Sequence, residues 1–452
     1  MKKILMTICM ALASLCVAEA QVQLSLDKAI EIALSDNPTI QVADLEIERY
    51  DYVYKQTVAT LYPQVDASGQ YALALRRQEM TEGFSFGGKN TITVSGSISL
   101  PLFVPSVYRQ MKMNRTQMAT AVESARANRI DLVAAVRAAY YNVLLAEQSL
   151  EVLQEAIATT QRVVDNTKTL YDNGLAAEYD YLTAQVQLSN LRPQALQAQN
   201  AIEITKLQLK MYLSIPEEVD ITVTGNLDDF RTQVLLAEDY SMDISENTTL
   251  RTLDLQRELL EHQEKLIQTT RMPTVAAFGS ISYLGQERVD LSGLMGGAMG
   301  GATAAARSGQ SKMWWQYPIS VGAQISIPIF AGFKKTNQLR EVRNQMAQLD
   351  LQREYAAEGV RLQIQQSINT LLTARETMLA NELTVEQAQK AYDITYTRYN
   401  AGAGTIIELN SAQLSLTQAQ LSYSQSIYDY LSAHAQYEKA LGVENFYGVT
   451  NK

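Results

Sequence analysis

Thr91-Ile92-Thr93-Val94-Ser95-Gly96-Ser97-Ile98-Ser99-Leu100 alternates without a break. In an extended chain Ile92, Val94, Gly96, Ile98 and Leu100 share one side, and Thr91, Thr93, Ser95, Ser97 and Ser99 share the other. The stretch closes with Pro101-Leu102-Phe103. The pattern returns at Ile319, Val321, Ala323, Ile325 and Ile327, with Ser320, Gly322, Gln324 and Ser326 opposite, and closes with Pro328-Ile329-Phe330. Two less pure alternations, Val65 to Leu73 and Val275 to Tyr283, make four expected strands, over about 63–75, 91–101, 273–285 and 317–328. In a soluble protein such a sheet lays its apolar face on a core. Three features favour lipid instead. The lengths suit the roughly 9 to 11 residues that cross a bilayer at a tilt. Phe103 and Phe330 at one end, and Trp314, Trp315 and Tyr317 at the other, stand where interfacial aromatics belong. An export segment, described below, lets the chain reach an outer membrane. Four strands cannot close a barrel, and an open edge in hydrocarbon leaves backbone groups unpaired at several kcal/mol each. Several copies must then share one barrel, with Thr93, Ser95, Ser97, Ser320 and Gln324 toward a water-filled lumen.

Outward from the strands the chain repeats itself. At an offset of 228, Tyr171-Asp172-Asn173-Gly174 falls on Tyr399-Asn400-Ala401-Gly402, and Thr183-Ala184-Gln185 falls on Ser411-Ala412-Gln413. The two Pro-x-Phe elements match at 227, and Pro63, Val65, Ala67 and Gly69 match Pro273, Val275, Ala277 and Gly279 at 210. The reading is a tandem duplication with copies at 21–222 and 223–452. Each copy carries a long helix, about 106–172 and 333–400, followed by a return helix, about 175–213 and 405–441. Apolar positions spaced four, three, four, three give the long helices a shared coiled-coil register. Leu132, Val136, Ala139 and Val143 correspond to Val360, Ile364, Ser367 and Leu371. Each hairpin turns at a glycine, Gly174 or Gly402, suited to the left-handed conformation that closes a helix. Pro193 predicts a kink in the first return helix, since the seam resumes in register after it. A helix over 106–172 spans about 100 Å at about 1.5 Å per residue. The segments 37–62 and 175–213, stacked end to end, nearly match it, so a long helical wall below the membrane is expected.

The first twenty residues fit an export signal: Lys2 and Lys3, an uncharged stretch from Ile4 to Ala18, then Ala18-Glu19-Ala20. Bulky Leu15 before Cys16 argues against lipidation. The only cysteines, Cys9 and Cys16, lie in that segment, so disulfide, thiol and thiolate-metal chemistry are not expected of the mature chain. Without Lys2, Lys3 and Glu19 the formal net charge of -10 becomes -11, which disfavours nucleic acid. The glycine-rich run Leu291 to Ala306 reads as a loop, being too short and too rich in glycine for a membrane helix. His262 and His434 are the only histidines, and the chain carries neither a nucleophile motif nor a phosphate-binding loop. An enzyme is not expected, and neither is a cofactor or a metal.

These residues resemble the TolC family of outer-membrane efflux proteins across essentially the whole expected mature chain. The carriers are Asn37-Pro38, the Pro-x-Phe elements at Pro101 and Pro328, and the duplicated Tyr-x-x-Gly turns followed by acidic and Ala-Gln positions. Thr248 stands where the second copy should repeat the proline. The resemblance implies a mainly helical homotrimer whose 12-stranded barrel, in the outer membrane of a diderm bacterium, continues into a 12-helix periplasmic barrel. It implies a passive conduit of a tripartite efflux or type I secretion system, served by a periplasmic adaptor and an inner-membrane transporter. The hairpin tips would form the gate and face the adaptor, with Asp172, Asn173 and Gly174 in one and Asn400, Gly402 and Gly404 in the other. Glu408 falls near the family's acidic pore constriction, with Asp180 as its counterpart. Tyr399 is placed to hydrogen-bond toward Asp180 and hold the gate shut. Three copies of Glu408 around an axis would repel one another and favour cations; the plainer reading is a solvated carboxylate on a helix N-terminus. Gly404 and Ser411 stand where some relatives carry charged gate residues. A trimeric membrane-anchored coiled-coil scaffold or adhesin is the competing class.

Overall fold

The computed structural model describes residues 22–75, 78–81, 84–86, 90–235, 240–287 and 313–444. The expected export segment 1–20 and the loop over 291–306 lie outside them. The elements in chain order begin with β1 (Val22–Leu24), α1 (Leu26–Asp36), α2 (Pro38–Ala59), β2 (Gln64–Leu73), β3 (Gln78–Thr81), β4 (Phe84–Phe86) and β5 (Asn90–Phe103). Then come α3 (Pro105–Asp172), α4 (Glu178–Leu213), β6 (Ile221–Val223), α5 (Leu227–Leu235) and α6 (Thr248–Thr269). The chain ends with β7 (Thr274–Glu287), β8 (Met313–Gln316), β9 (Ile319–Ser326), α7 (Lys334–Asn400) and α8 (Ile406–Leu441). Two compact units result: one takes residues up to Ile47, Thr120–Asp254 and those from Asp350; the other takes Glu48–Ala119 and Leu255–Leu349.

In the second unit β2, β5, β7 and β9 form an antiparallel meander. Its register aligns like with like. Val65, Ile98, Gly279 and Val321 form one cross-strand row, and Ala67, Gly96, Ile281 and Ile319 the next. On the other face Asp66, Ser97, Ser280 and Ser320 form a row in which the Ser280 and Ser320 hydroxyls lie 2.7 Å apart. Among the described residues nothing covers the apolar face: Val65 is 73% exposed, Ile319 70% and Val321 85%. A soluble sheet would bury these side chains, each worth about 1.5 to 3 kcal/mol. Among the described residues β2 and β9 each pair on one side only.

Register carries unbroken from β9 into β8, Ser282 donating its N–H to the Pro318 carbonyl at 3.0 Å between the two. Trp315 lies opposite Gly285, whose missing Cβ makes room for the indole, and stacks on Tyr283 at 4.7 Å between ring centroids. Trp314 departs from expectation. It pairs with Gln286, and because successive strand residues point to opposite faces, it lies on the polar side, away from Trp315. Two indoles in sequence cannot serve one girdle face.

In the first unit the core forms where α3 and α8 pack with elements the sequence did not announce. β1 and β6 pair in parallel, Val22 against Ile221, and buried Tyr140 donates its hydroxyl proton to the Leu24 carbonyl at 3.0 Å. α1 presents Leu26, Ala29, Ile30 and Ala33 to the same core. The return helix α4 continues from Glu178 to Leu213 across Pro193, without an end there.

Two buried asparagines tie helix ends together by the same bonds. Asn37 Oδ1 accepts from Thr39 N at 2.8 Å while its Nδ2 donates to the Tyr212 carbonyl at 2.8 Å. Asn247 Oδ1 accepts from Thr249 N at 3.0 Å while its Nδ2 donates to the Ala440 carbonyl at 3.0 Å. Tyr212 and Ala440 are themselves matched at the offset of 228. Thr248 is tolerated in place of proline because the N–H of a first helical residue has no helical partner in any case.

Candidate functional site: the hairpin tips

At the first tip α3 stops at Asp172, and Gly174 adopts φ +74°. The Leu175 N–H reaches the Leu170 carbonyl at 2.8 Å and the Gly174 N–H the Tyr171 carbonyl at 2.8 Å, the paired bonds of a Schellman closure. Asn173 Nδ2 donates to the Thr169 carbonyl at 2.7 Å. At the second tip Gly402 has φ +73°, the Ala403 N–H reaches the Arg398 carbonyl at 2.9 Å and the Gly402 N–H the Tyr399 carbonyl at 3.0 Å. Arg398 adds a bond from its guanidinium to the Ala403 carbonyl at 3.2 Å. Gly404 packs closely, since a Cβ there would sit 3.2 Å from Tyr399 N.

The return helices start differently. Ala177 caps α4 with no side-chain bond, leaving Glu178 and Asp180 to favour the first turn by charge alone. Thr405 and Glu408 form a full capping box on α8: Thr405 Oγ1 accepts from Glu408 N at 3.2 Å, and Glu408 Oε2 accepts from Thr405 N at 3.2 Å. Glu408 is exposed beside a groove of about 440 Å³ lined by Ala388, Ala391, Ile407, Ser411, Ala412 and Ser415. Asp180 is half-buried.

Behind the tips one small core joins both hairpins, with Val163, Val164, Ala184 and Leu188 meeting Ile406 and Leu409. Tyr399 packs on this cluster, and its hydroxyl lies 3.0 Å from the buried Thr167 Oγ1. Within the chain, then, Tyr399 bonds Thr167 where Asp180 was expected. Thr167 also donates to the Val163 carbonyl at 2.8 Å, which leaves Tyr399 free to donate to Thr167. Tyr392 stacks on Tyr396 at 5.9 Å, and burial lifts its hydroxyl above the usual phenol range, so it stays neutral. Thr405 was readable in the sequence as the Thr-x-x-Glu of a capping box; Thr167, one more seam residue, carried no signal.

Of the expected girdle, Phe103 lies at the end of β5 against Val275, and Phe330 packs edge-on to Phe333 at 5.6 Å, all at the strand ends nearest the helices. Trp315 and Tyr317 stand at the opposite end, on the apolar side of the register. No described helix is long and apolar enough to cross a membrane, and no group of three or more metal-ligating side chains gathers among the described residues.

The sequence pattern of the family described as "Outer membrane efflux protein" matches residues 29–214 and 240–443. The Outer membrane protein TolC of Escherichia coli is 23% identical over 369 residues, covering 79% of this chain and 71% of that one. The Alkaline protease secretion protein AprF of Pseudomonas aeruginosa is 21% identical over 354 residues, covering 77% and 69%. Among solved structures, CusC superposes with a TM-score of 0.71 at 18% identity over 93% of this chain and 92% of that one. VceC of Vibrio cholerae gives 0.66 at 18% identity over 92% and 96%. Two hairpins of matching design, a sheet with an exposed apolar face, and a family match spanning both halves lead to one conclusion: the chain belongs to the outer membrane efflux protein family and is an outer-membrane channel component.

Proposed function

We propose that three copies assemble into a 12-stranded outer-membrane barrel continuous with a 12-helix periplasmic barrel, the conduit of a tripartite efflux or type I secretion system. A periplasmic adaptor docks at the hairpin tips and an inner-membrane transporter supplies the cargo. The observation that carries this reading is the exposed apolar face of a sheet whose edge strands, β2 and β9, each pair on one side only among the described residues; lipid and neighbouring copies satisfy face and edges together. The hydroxyl-lined face, with Ser68 and Ser95 oxygens 2.8 Å apart, suits a wet lumen. Transport by the relatives' family supports a channel over a scaffold or adhesin.

The tips form the gate in this reading: Asp172, Asn173 and Gly174 with Asn400, Gly402 and Gly404, and Glu408 as its charged element beside Asp180 and Tyr399. Planar-bilayer recording tests both levels. Glu408→Gln keeps an acceptor for the capping box and removes the charge, so cation selectivity should fall at unchanged fold. Unchanged selectivity takes Glu408 out of the gate. Absence of current from inserted protein whose tips have been opened by substitution favours the scaffold.

A further inference from the structure

The helices that leave the sheet carry basic residues in their first turns or shortly beyond. The first ten residues of α3, Pro105–Asn114, contain Arg109 and Lys112 and no acid. The first ten of α7, Lys334–Arg343, contain Lys334, Lys335, Arg340 and Arg343 against Glu341 alone. Lys334 and Lys335 fall in the first turn of α7, where a cation opposes the macrodipole. Helix stability does not explain that pair, and at the tips the same chain places Glu178, Asp180 and Glu408 in first turns. The charges are neighbours in space. Phe103 of β5 lies beside Val275 of β7, which lies beside Ile325 of β9, so the helices under these strands start side by side. Arg271 donates to Thr336 Oγ1 at 3.3 Å, and the Lys335 ammonium to the Thr270 carbonyl, joining the end of α6 to the start of α7. Lys112, Arg271, Lys334 and Arg340 are exposed and form no ion pair among the described residues. Directly above them the exposed rings of Phe103, Phe330 and Phe333 border the apolar face.

We infer that this basic collar seats the phosphate groups of anionic phospholipids in the leaflet next to the helices. The inference rests on the proposal that the sheet lies in a membrane. Exposed cations one or two helical turns from a lipid-facing apolar surface match the depth of a headgroup layer, and an anionic surface attracts each of them within a Debye length. A free anion would need no aromatic border.

The test reconstitutes the full-length protein into nanodiscs of equal phosphatidylglycerol and phosphatidylcholine and reads co-extracted lipid by native mass spectrometry. Phosphatidylglycerol should be enriched, and the enrichment should fall by roughly fivefold for each charge removed in the series Lys112→Gln, Lys334→Gln, Arg340→Gln. Lys112→Arg with Lys334→Arg should retain it. Equal retention of both lipids by the unaltered protein, or enrichment that survives all three glutamines, overturns the collar. So does loss of enrichment to inorganic phosphate at matched ionic strength, which would mark a free-anion site. Insertion itself separates the two levels: protein that inserts into the mixed bilayer without a lipid preference refutes only the collar, whereas protein that inserts into neither the mixed bilayer nor pure phosphatidylcholine refutes the membrane reading beneath it.

Discussion

The turns at Gly174 and Gly402 close their long helices by the same pair of bonds, yet only the second opens its return helix with a capping box. The two hairpins share a stop signal and differ in their start signal. The second tip thus holds its own geometry, with Thr405, Glu408 and Arg398 each satisfying backbone groups. At the first tip Asn173 adds a bond to the Thr169 carbonyl, but the return helix opens without a side-chain cap, and both tips share the core around Val163 and Leu409. Glu408 therefore has a local structural task that Asp180 lacks, whatever it does in a pore.

Amide exchange at the two tips of the purified protein tests this contrast. The largest effect should come from Gly402→Val. No atom lies within 4 Å of the added Cβ, so the cost is the left-handed backbone alone, about 2 kcal/mol, or roughly thirtyfold faster exchange around residue 403. Gly174→Val should behave alike; a large difference between them would undo the equivalence of the two stops. Next, Thr405→Ala should cost about 1 kcal/mol at the start of α8, while Ala177→Ser should gain about as much at the start of α4. If Ala177→Ser changes nothing, the first tip is not limited by its missing cap. Tyr399→Phe should cost about 0.5 to 1 kcal/mol and loosen both hairpins, because its bond to Thr167 joins them. A response confined to one hairpin contradicts that link. Smallest of all, Glu408→Gln should shift exchange by only a few tenths of a kcal/mol, since the capping bond survives. A large shift would mean that the charge itself holds the turn.

Periodic order was legible in the sequence, and irregular long-range contact was not. The alternation at Thr91 to Leu100 and the shared seams of the long helices reflect repeating geometry, so they show in any window of the chain. β1 and β6 are three residues each and pair across about two hundred positions, leaving no period to detect. α1 and α5 were missed beside them: both are short, and both are held by that same core, Phe230 of α5 lying 6.0 Å from the ring of Tyr140. Trp314 misled because composition near a strand end says aromatic, whereas only the register says which face. The Asn247 link was hidden by Thr248, a substitution that breaks the motif without breaking the bond.

Disulfide trapping between edge strands tests the shared barrel most directly. Within one chain β5 and β7 separate β2 from β9 by three strand spacings, about 14 Å, beyond the roughly 7 Å reach of a disulfide. Cysteines placed singly at Gln64 or Ser68 on β2 and at Ser320 or Gln324 on β9 should, in at least one pairing, oxidise in membranes to a ladder that ends at three chains. Folded, membrane-inserted protein that stays a single chain in every pairing would contradict the account.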